Sequence, residues 1–447
     1  MKSIFSLLLY LCLTQYTFAA SDIMDVFRHA YLYDPQYQQT ISQTLSTQEN
    51  VGISLASLLP KINFSIRPTE VNSQNSGTIT RTLLPKNNII RSNEMRVSLS
   101  QTIFNYAKFA SLGSANAYAK QASASLNAAF QNLIIRVAQA YFNILQDEEN
   151  LRYCNANKAA LGRQYYQIME KYKAKSVSKA DFYNAKSAYY SASSTCASNK
   201  AQLEIDREFL RTITNKSYPD LARLGEDFPL ITPQPDDSEA WVTKAKEQNW
   251  TIKANEYALQ GAKEQIKQQL AGHFPTVELE QFYDVTAQKS EKGAGLVSAG
   301  SSKMRENAIS LDINVPIFSG GEVVSEVNQA KYNYQATAQQ LEQSIRNAVY
   351  NTRQSYLTII SDIEKIRNDK IAIKAAMISL EAMDERYHSG LGTLYDVLNQ
   401  RQKVFQSQLQ YSSDRYSYIM NLLSLKNSAG TLDLNDLQII NLWLSKA

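Results

Sequence analysis

Glycine is scarce, 15 in 447 residues, about half the usual share, and a chain so poor in it has little material for loops and favours long helices. Beyond the first twenty residues no apolar run approaches the roughly twenty residues a spanning helix needs. Charge of one sign is also missing: 46 Lys and Arg stand against 42 Asp and Glu, which removes the electrostatic case for nucleic acid. The only histidines, His29, His273 and His388, are far apart, and no metal-spaced cluster, nucleophile elbow or phosphate loop accompanies them. The expectation is therefore no enzyme, no metal and no cofactor. Of three cysteines, Cys12 follows bulky Tyr10-Leu11 inside the leader, where a lipidated cysteine needs small residues, and it reads as passenger sequence. Cys154 and Cys196 remain.

Residues 1–20 read as a secretory signal: Lys2, an apolar run from Ile4 to Leu13, then Thr17-Phe18-Ala19 with small residues at the cleavage positions. The mature chain is expected to begin at Ala20 or Ser21, in a compartment that permits disulfides. In two repeats, 21–215 and 237–430, residues 22–215 lie on 237–430 at an almost constant offset of 215, with Asp34-Pro35 on Asn249-Trp250, Leu59-Pro60 on Phe274-Pro275, Tyr141 on Tyr356, Tyr172 on Tyr387 and Asp181 on Asp396. One slip of a residue occurs where Ile103-Phe104 meets Ile317-Phe318. So long a period means two copies of one large unit, not a solenoid. Residues 216–236, with prolines that stop a helix, form the link, expected extended against the outside of the helices; 431–447 is a C-terminal segment.

Each copy reads as helix, paired strands, then a much longer helix that turns back. Leu341, Ile345, Ala348, Thr352, Tyr356, Ile359, Ile363, Ile366, Lys370, Ile373, Met377 and Leu380 follow steps of four and three, with one stutter near Thr352. Phe405, Leu409, Ser412, Tyr416, Ile419 and Leu422 answer on the return. A continuous helix over 319–387 reaches about 100 Å at 1.5 Å per residue. The first copy forms the same hairpin from 106–174 and 179–214, turning near Lys175-Ser176. Cys154 and Cys196 sit at about equal distance from that turn; they either face one another as a disulfide or pack independently in helix interfaces.

Between the helices, Ile62, Phe64 and Ile66, then Val97, Leu99 and Ile103, alternate with Asn63, Ser65, Arg67, Ser98 and Ser100. The second copy repeats this at Val277, Leu279, Tyr283 and Val285, and at Ile309, Leu311, Ile313 and Val315. Polar loops are read at 72–93 and 289–305. A sheet on a soluble core and a lipid-facing barrel wall both give this alternation. Four strands cannot close a barrel, and an open edge cannot survive in lipid. Closure demands several subunits; three copies give about twelve strands around a water-filled interior. Pro60 and Pro275 at strand starts, with Phe104 and Phe318 at strand ends, would mark the inner membrane boundary.

Leu58-Leu59-Pro60, Ser100-Gln101-Thr102-Ile103-Phe104, Ala140-Tyr141-Phe142-Asn143, Gly272-His273-Phe274-Pro275-Thr276, Val315-Pro316-Ile317-Phe318-Ser319-Gly320-Gly321 and Asp396-Val397-Leu398 together resemble the TolC-type outer-membrane efflux and secretion channels over nearly the whole mature chain. The resemblance implies a mainly α protein with a β-barrel portion: long antiparallel helical hairpins forming an α-barrel, and four strands per chain in a trimeric 12-stranded transmembrane barrel. It implies a homotrimer in the outer membrane of a Gram-negative bacterium, extending into the periplasm, with a periplasmic adaptor and an inner-membrane transporter as partners. The channel is passive and the transporter supplies the energy. Asp396 matches the constriction aspartate, a carboxylate ring selective for cations. Read from the residues alone, the same aspartate is a solvated residue at a helix N-terminus. Asn399 replaces a second aspartate ring, and Gly392 an arginine of the closing network whose other members match Tyr387 and Asp181. Lys175 and Lys179 are candidates to restore that charge. The turns, with Ser176 and Val177 in one copy and Gly390 and Leu391 in the other, are the expected adaptor-docking tips. An exported periplasmic coiled-coil adaptor is the rival reading, although such proteins usually carry one hairpin flanked by β domains.

Overall fold

In the computed structural model, residues 20–74, 87–290 and 300–445 are described; the signal reading of 1–20 falls almost entirely outside them. Elements follow in the order α1 (Ile23–Tyr33), α2 (Pro35–Ala56), β1 (Lys61–Gln74), β2 (Asn87–Phe104), α3 (Tyr106–Lys173) and α4 (Lys179–Thr214). After the short β3 (Arg223–Leu224) the order recurs as α5 (Ser238–Gln248), α6 (Trp250–Leu270), β4 (Thr276–Ser290), β5 (Gly300–Asn314), α7 (Glu322–His388) and α8 (Leu394–Ser428). The chain finishes with α9 (Leu434–Asn441) and β6 (Leu444–Ser445). It divides into two compact units: residues 20–42, 124–253 and 343–445 form one, and 43–123 with 254–342 contain the other.

The first unit is a helical core. In α1, Ile23, Val26, Phe27 and Ala30 recur at steps of three, one and three and are all buried, each large one contributing about 1.5–3 kcal/mol. Asp22 caps this helix by accepting from the Asp25 N–H at 2.9 Å. Asp237, 215 residues on, caps α5 through the Glu239 N–H at 3.0 Å. The helices break after Tyr33 and Gln248 for the same reason: Asp34 and Asn249 turn extended, and their side chains accept from the Tyr37 N–H at 2.6 Å and the Ile252 N–H at 3.1 Å. Tyr141 and Tyr356 also act alike. Tyr141 donates to the Ala222 carbonyl at 2.7 Å and Tyr356 to Asp236 Oδ1 at 2.7 Å, so each fastens its helix to the extended chain leading into or out of a copy.

Two readings need adjustment here. From Ala348 to Ile366 the α7 seam is buried as its spacing demands, but Lys370 instead reaches Asp227 at 3.3 Å and Met377 is 53% exposed. Past Ile366 the inward track passes to Asp369, Ile373 and Ala376, with two successive steps of three where the spacing called for a four. The link 216–236 is more than a strap on the outside, because Tyr218, Leu221, Ala222, Leu224 and Phe228 join the core and β3 pairs with β6.

In the second unit β1, β2, β4 and β5 form one antiparallel sheet in that order. The ladder runs through Lys61↔Ser100 to Gln74↔Asn87, Ser100↔Glu280 to Ile90↔Ser290, and Thr276↔Asn314 to Ser290↔Gly300. Strands therefore reach into the segments read as loops at 72–93 and 289–305. Ladder hydrogen bonds extend strands past the apolar stretch whatever the side chains. Cross-strand neighbours Ile62↔Leu99, Phe64↔Val97↔Tyr283 and Leu279↔Leu311 build an apolar face. Val277 to Val285 gives it a length of about 27 Å along the strand at 3.4 Å per residue, which tilted strands shorten to roughly 20 Å along a membrane normal, on the scale of a lipid-facing band. The other face is wet, with Arg96 between Glu94 at 3.2 Å and Asp284 at 3.9 Å. Ile62, Phe64, Ile66, Ile309, Leu311 and Ile313 are each more than half exposed. Strands begin directly after Pro60 and Pro275, and Phe104 closes β2, but Phe318 lies four residues past the end of β5.

Candidate functional site

The expected tips are the α3–α4 and α7–α8 turns, both in the helical unit. Each is closed by a residue in the left-handed region. Gly390 has φ 77° and Lys175, its counterpart, φ 58°; glycine adopts this conformation freely and lysine at a cost. The Ser176 N–H reaches the Lys171 carbonyl at 2.9 Å and the Leu391 N–H the Arg386 carbonyl at 2.9 Å, which satisfies the last carbonyls of both outgoing helices in the same manner. Ser176, Gly390 and Leu391 are exposed and Val177 is half-buried.

The returning helices start on matched caps. Ser178 Oγ accepts from the Asp181 N–H at 3.0 Å and donates to Asp181 Oδ2 at 2.7 Å. Thr393 Oγ1 accepts from the Asp396 N–H at 3.2 Å and donates to Asp396 Oδ2 at 2.7 Å, and the same oxygen accepts from the Thr393 N–H at 3.2 Å. Asp396 is thus the third residue of a reciprocal cap. Those hydrogen bonds, with the Arg386 guanidinium behind them, hold its carboxyl below the usual aspartate range, so it is ionised at neutral pH. It is exposed, as is Asn399 one turn further along α8.

Between the hairpins lies an apolar cluster of Tyr165, Ile168, Ala185 and Leu394, flanked by Val177, Phe182 and Tyr387. The first hairpin is laminated by aromatic pairs, Tyr172 on Phe182 at 4.7 Å and Tyr165 on Tyr189 at 5.6 Å. Tyr387 is brought towards Asp181: burial first, then the Asp181 and Asp384 carboxylates, raise its pKa. Among the described residues no hydrogen bond joins the two, since Asp181 is engaged by Ser178.

The lysines expected to restore the lost charge have other positions. Lys175 is the left-handed turn residue, and Lys179 Nζ lies 5.9 Å above the Tyr183 ring; neither makes an ion pair among the described residues. The cation beside Asp396 is Arg386, whose Nη2 donates to the Leu391 carbonyl at 3.4 Å. A Cβ on Gly392 would meet Tyr387 N at 3.2 Å and Arg386 Cβ at 3.3 Å, so that position has little room for a side chain. Arg386 was signalled by its place in the last turn of α7, where cations suit the helix dipole.

Cys154 and Cys196 are joined in a disulfide across α3 and α4 with Cα atoms 5.6 Å apart. Among the described residues no group of His, Cys, Asp or Glu could hold a metal ion, and no helix is long and apolar enough to cross a membrane.

Long paired hairpins and a four-stranded sheet with no partner beyond β1 or β5 among the described residues are the parts of a channel-forming class. The chain belongs to the Outer membrane efflux protein family, which matches residues 30–216 and 241–431. It is similar to Outer membrane protein TolC of Escherichia coli (strain K12), 30% identical over 100% of this chain and 90% of that protein. Alkaline protease secretion protein AprF of Pseudomonas aeruginosa is 23% identical over 94% of this chain and 87% of its own length. Among solved structures, the Campylobacter jejuni CmeC outer membrane channel shares the fold with a TM-score of 0.78, at 17% identity over 95% of this chain and 90% of that one.

Proposed function

We propose that three copies of this chain form one passive exit duct in the outer membrane, used for efflux or for type I secretion and energised by an inner-membrane transporter through a periplasmic adaptor. The carrying observation is the four-stranded sheet, whose outer strands β1 and β5 have no partner on their far edges among the described residues and whose apolar face is exposed. Unpaired edges are untenable in lipid, and an even number of strands per copy lets identical sheets join antiparallel all the way round. Three copies supply twelve strands, enough to leave a water-filled interior.

The turns are the gate and the docking tips of this reading. Asp396 supplies a ring of carboxylates with Asn399 beyond it and Arg386 beside it, and Tyr387 with Asp181 belongs to the same closing network. Ser176, Val177, Gly390 and Leu391 face the adaptor. The reading is supported by the depressed pKa of Asp396, which keeps its charge at neutral pH, and by the exposure of both turns. No catalytic step is assigned. Outer-membrane extraction tests it directly: a trimeric mass in detergent and water-filled conductance in planar bilayers are expected, and a monomer released by carbonate without detergent would refute it.

A further inference from the structure

The two β-hairpins obey one numerical rule. Adding 215 to a β1 residue and 214 to its β2 partner turns Lys61↔Ser100 into Thr276↔Asn314 and Gln74↔Asn87 into Lys289↔Ser301, both of them β4·β5 pairs. The 214 reflects the one-residue slip in the repeat. Applied to β2·β4, the rule carries β2 onto β5 and β4 back onto a β1 strand, which must come from a second copy. From this we infer that β5 pairs antiparallel with β1 of the partner subunit in a single register that sets Asp312 opposite Arg67 of the partner subunit. The inference rests on the reading of closure by identical copies.

The source pairs are Ser98↔Phe282, Leu99↔Gln281, Ser100↔Glu280 and Gln101↔Leu279. Their images are Asp312 with Arg67, Ile313 with Ile66, Asn314 with Ser65 and Val315 with Phe64. Side chains alternate between faces, so Ile313, Val315 and their partners extend the apolar band, while Asp312 and Arg67 meet as opposite charges on the wet face. A one-residue slip places apolar groups opposite polar ones. A two-residue slip keeps the faces but separates the charges. Such a joint is head-to-tail and closes as a ring.

A second observation agrees. β2 runs on to Phe104 because Gln101, Thr102 and Phe104 pair with Leu279, Glu278 and Val277 of β4. Their counterparts in the second copy, residues 315–318, have no such strand beside them; β5 ends at Asn314, and Ile317 and Phe318 are 95% and 88% exposed. The partner's β1 is the strand they lack.

Cysteine pairs in the full-length chain in the outer membrane test the register, since the native pair Cys154–Cys196 is already bonded. Directly opposite residues have Cβ atoms about 4.5–5.5 Å apart and diagonal ones about 7–8 Å. Oxidation of Ser65→Cys/Asn314→Cys should give covalent dimers and closed rings on non-reducing gels, at least about ten-fold more than Arg67→Cys/Asn314→Cys. The reverse ranking overturns the register and leaves closure standing; no link from either pair, with a monomeric native mass, overturns closure itself. Charge reversal checks the ion pair independently: Asp312→Arg should reduce the heat-resistant oligomer and Asp312→Arg/Arg67→Asp should restore it. A double variant as weak as the single one removes the pairing of these two residues.

Discussion

The first hairpin, α3 with α4, and the second, α7 with α8, share their turn and cap geometry and are fastened by different chemistry. Asp362 in α7 accepts from Asn421 at 2.9 Å, Ser417 at 3.0 Å and Lys365 at 3.1 Å. The residues 215 earlier are Asp147 and Asp206, two carboxyls facing each other, and burial pushes Asp147 up to about 7. Where the first hairpin is joined by Cys154–Cys196, the second has Asp369 and Tyr411, and Asp369 faces Asp414 with its pKa pushed up to about 6 by burial. One hairpin is tied covalently and laminated with aromatic rings; the other is held at the corresponding height by groups that a proton or a cation can disturb. The expected consequence is a turn that opens more readily in the second hairpin than in the first.

The largest effect expected from breaking this asymmetry is loss of the covalent tie. Closing a loop of 42 residues restricts the unfolded chain by about 4 kcal/mol in the chain-entropy account. Cys154→Ser/Cys196→Ser should lower the unfolding free energy by up to that cost, seen as a lower thermal midpoint, and reductant should do the same to the unaltered protein and nothing to the variant. An unchanged midpoint would mean that the first hairpin is no more firmly closed than the second.

A smaller effect comes from giving the first hairpin the second one's polar pair. The folded pKa of Asp147, about 7, lies above the roughly 3.9 of an unfolded aspartate. Stability from this site is therefore complete below about pH 4 and lost as pH rises through about 7. Asp206→Asn supplies an amide, as Asn421 does for Asp362, and should stabilise at pH 8 by on the order of 1–2 kcal/mol after discounting for solvent screening. At pH 4.5 the difference should nearly vanish. A gain equal at both pH values would show that the two carboxyls do not share a proton.

Much of this was legible in the residues. Steps of four and three from Ala348 to Ile366 describe a helix face and survive as buried positions, because core burial enforces the period. Lys370 and Met377 fit the same count and are exposed, because the inward face takes two successive steps of three at Ile366 and Asp369, which the apolar pattern does not mark. Alternation found the apolar half of each strand and missed the polar half, since backbone pairing, not side-chain character, continues the ladder beyond Ile66 and Val285. The disulfide stayed open at the level of sequence because equal distance from a turn does not fix a separation to within an ångström. Ser178-x-x-Asp181 and Thr393-x-x-Asp396 are cap patterns in plain view. The last-turn position of Arg386 marks it as a helix-end cation, but only folding brings it across the turn to Asp396.

The finest test separates the two roles open to Asp396. Asp181 and Asp396 each accept from the hydroxyl of the N-cap three residues before, and Asp396 also accepts from the Thr393 N–H, so Asp181→Asn and Asp396→Asn should each cost their helix a small amount, slightly more at Asp396. Each native carboxylate also accepts charge-strengthened hydrogen bonds, and the Asp396 contribution persists above the ordinary aspartate range and fades only as pH falls through its depressed value. A cap acts on its own helix. A ring of three carboxylates acts on ions passing between subunits. If Asp396 lines the constriction, Asp396→Asn lowers the preference for cations over anions in planar bilayers while Asp181→Asn leaves it alone, although both melt only slightly below the unaltered protein. If both variants, or neither, change ion preference, the symmetry of the caps extends to their function, and Asp396 is a helix cap that happens to stand near the pore.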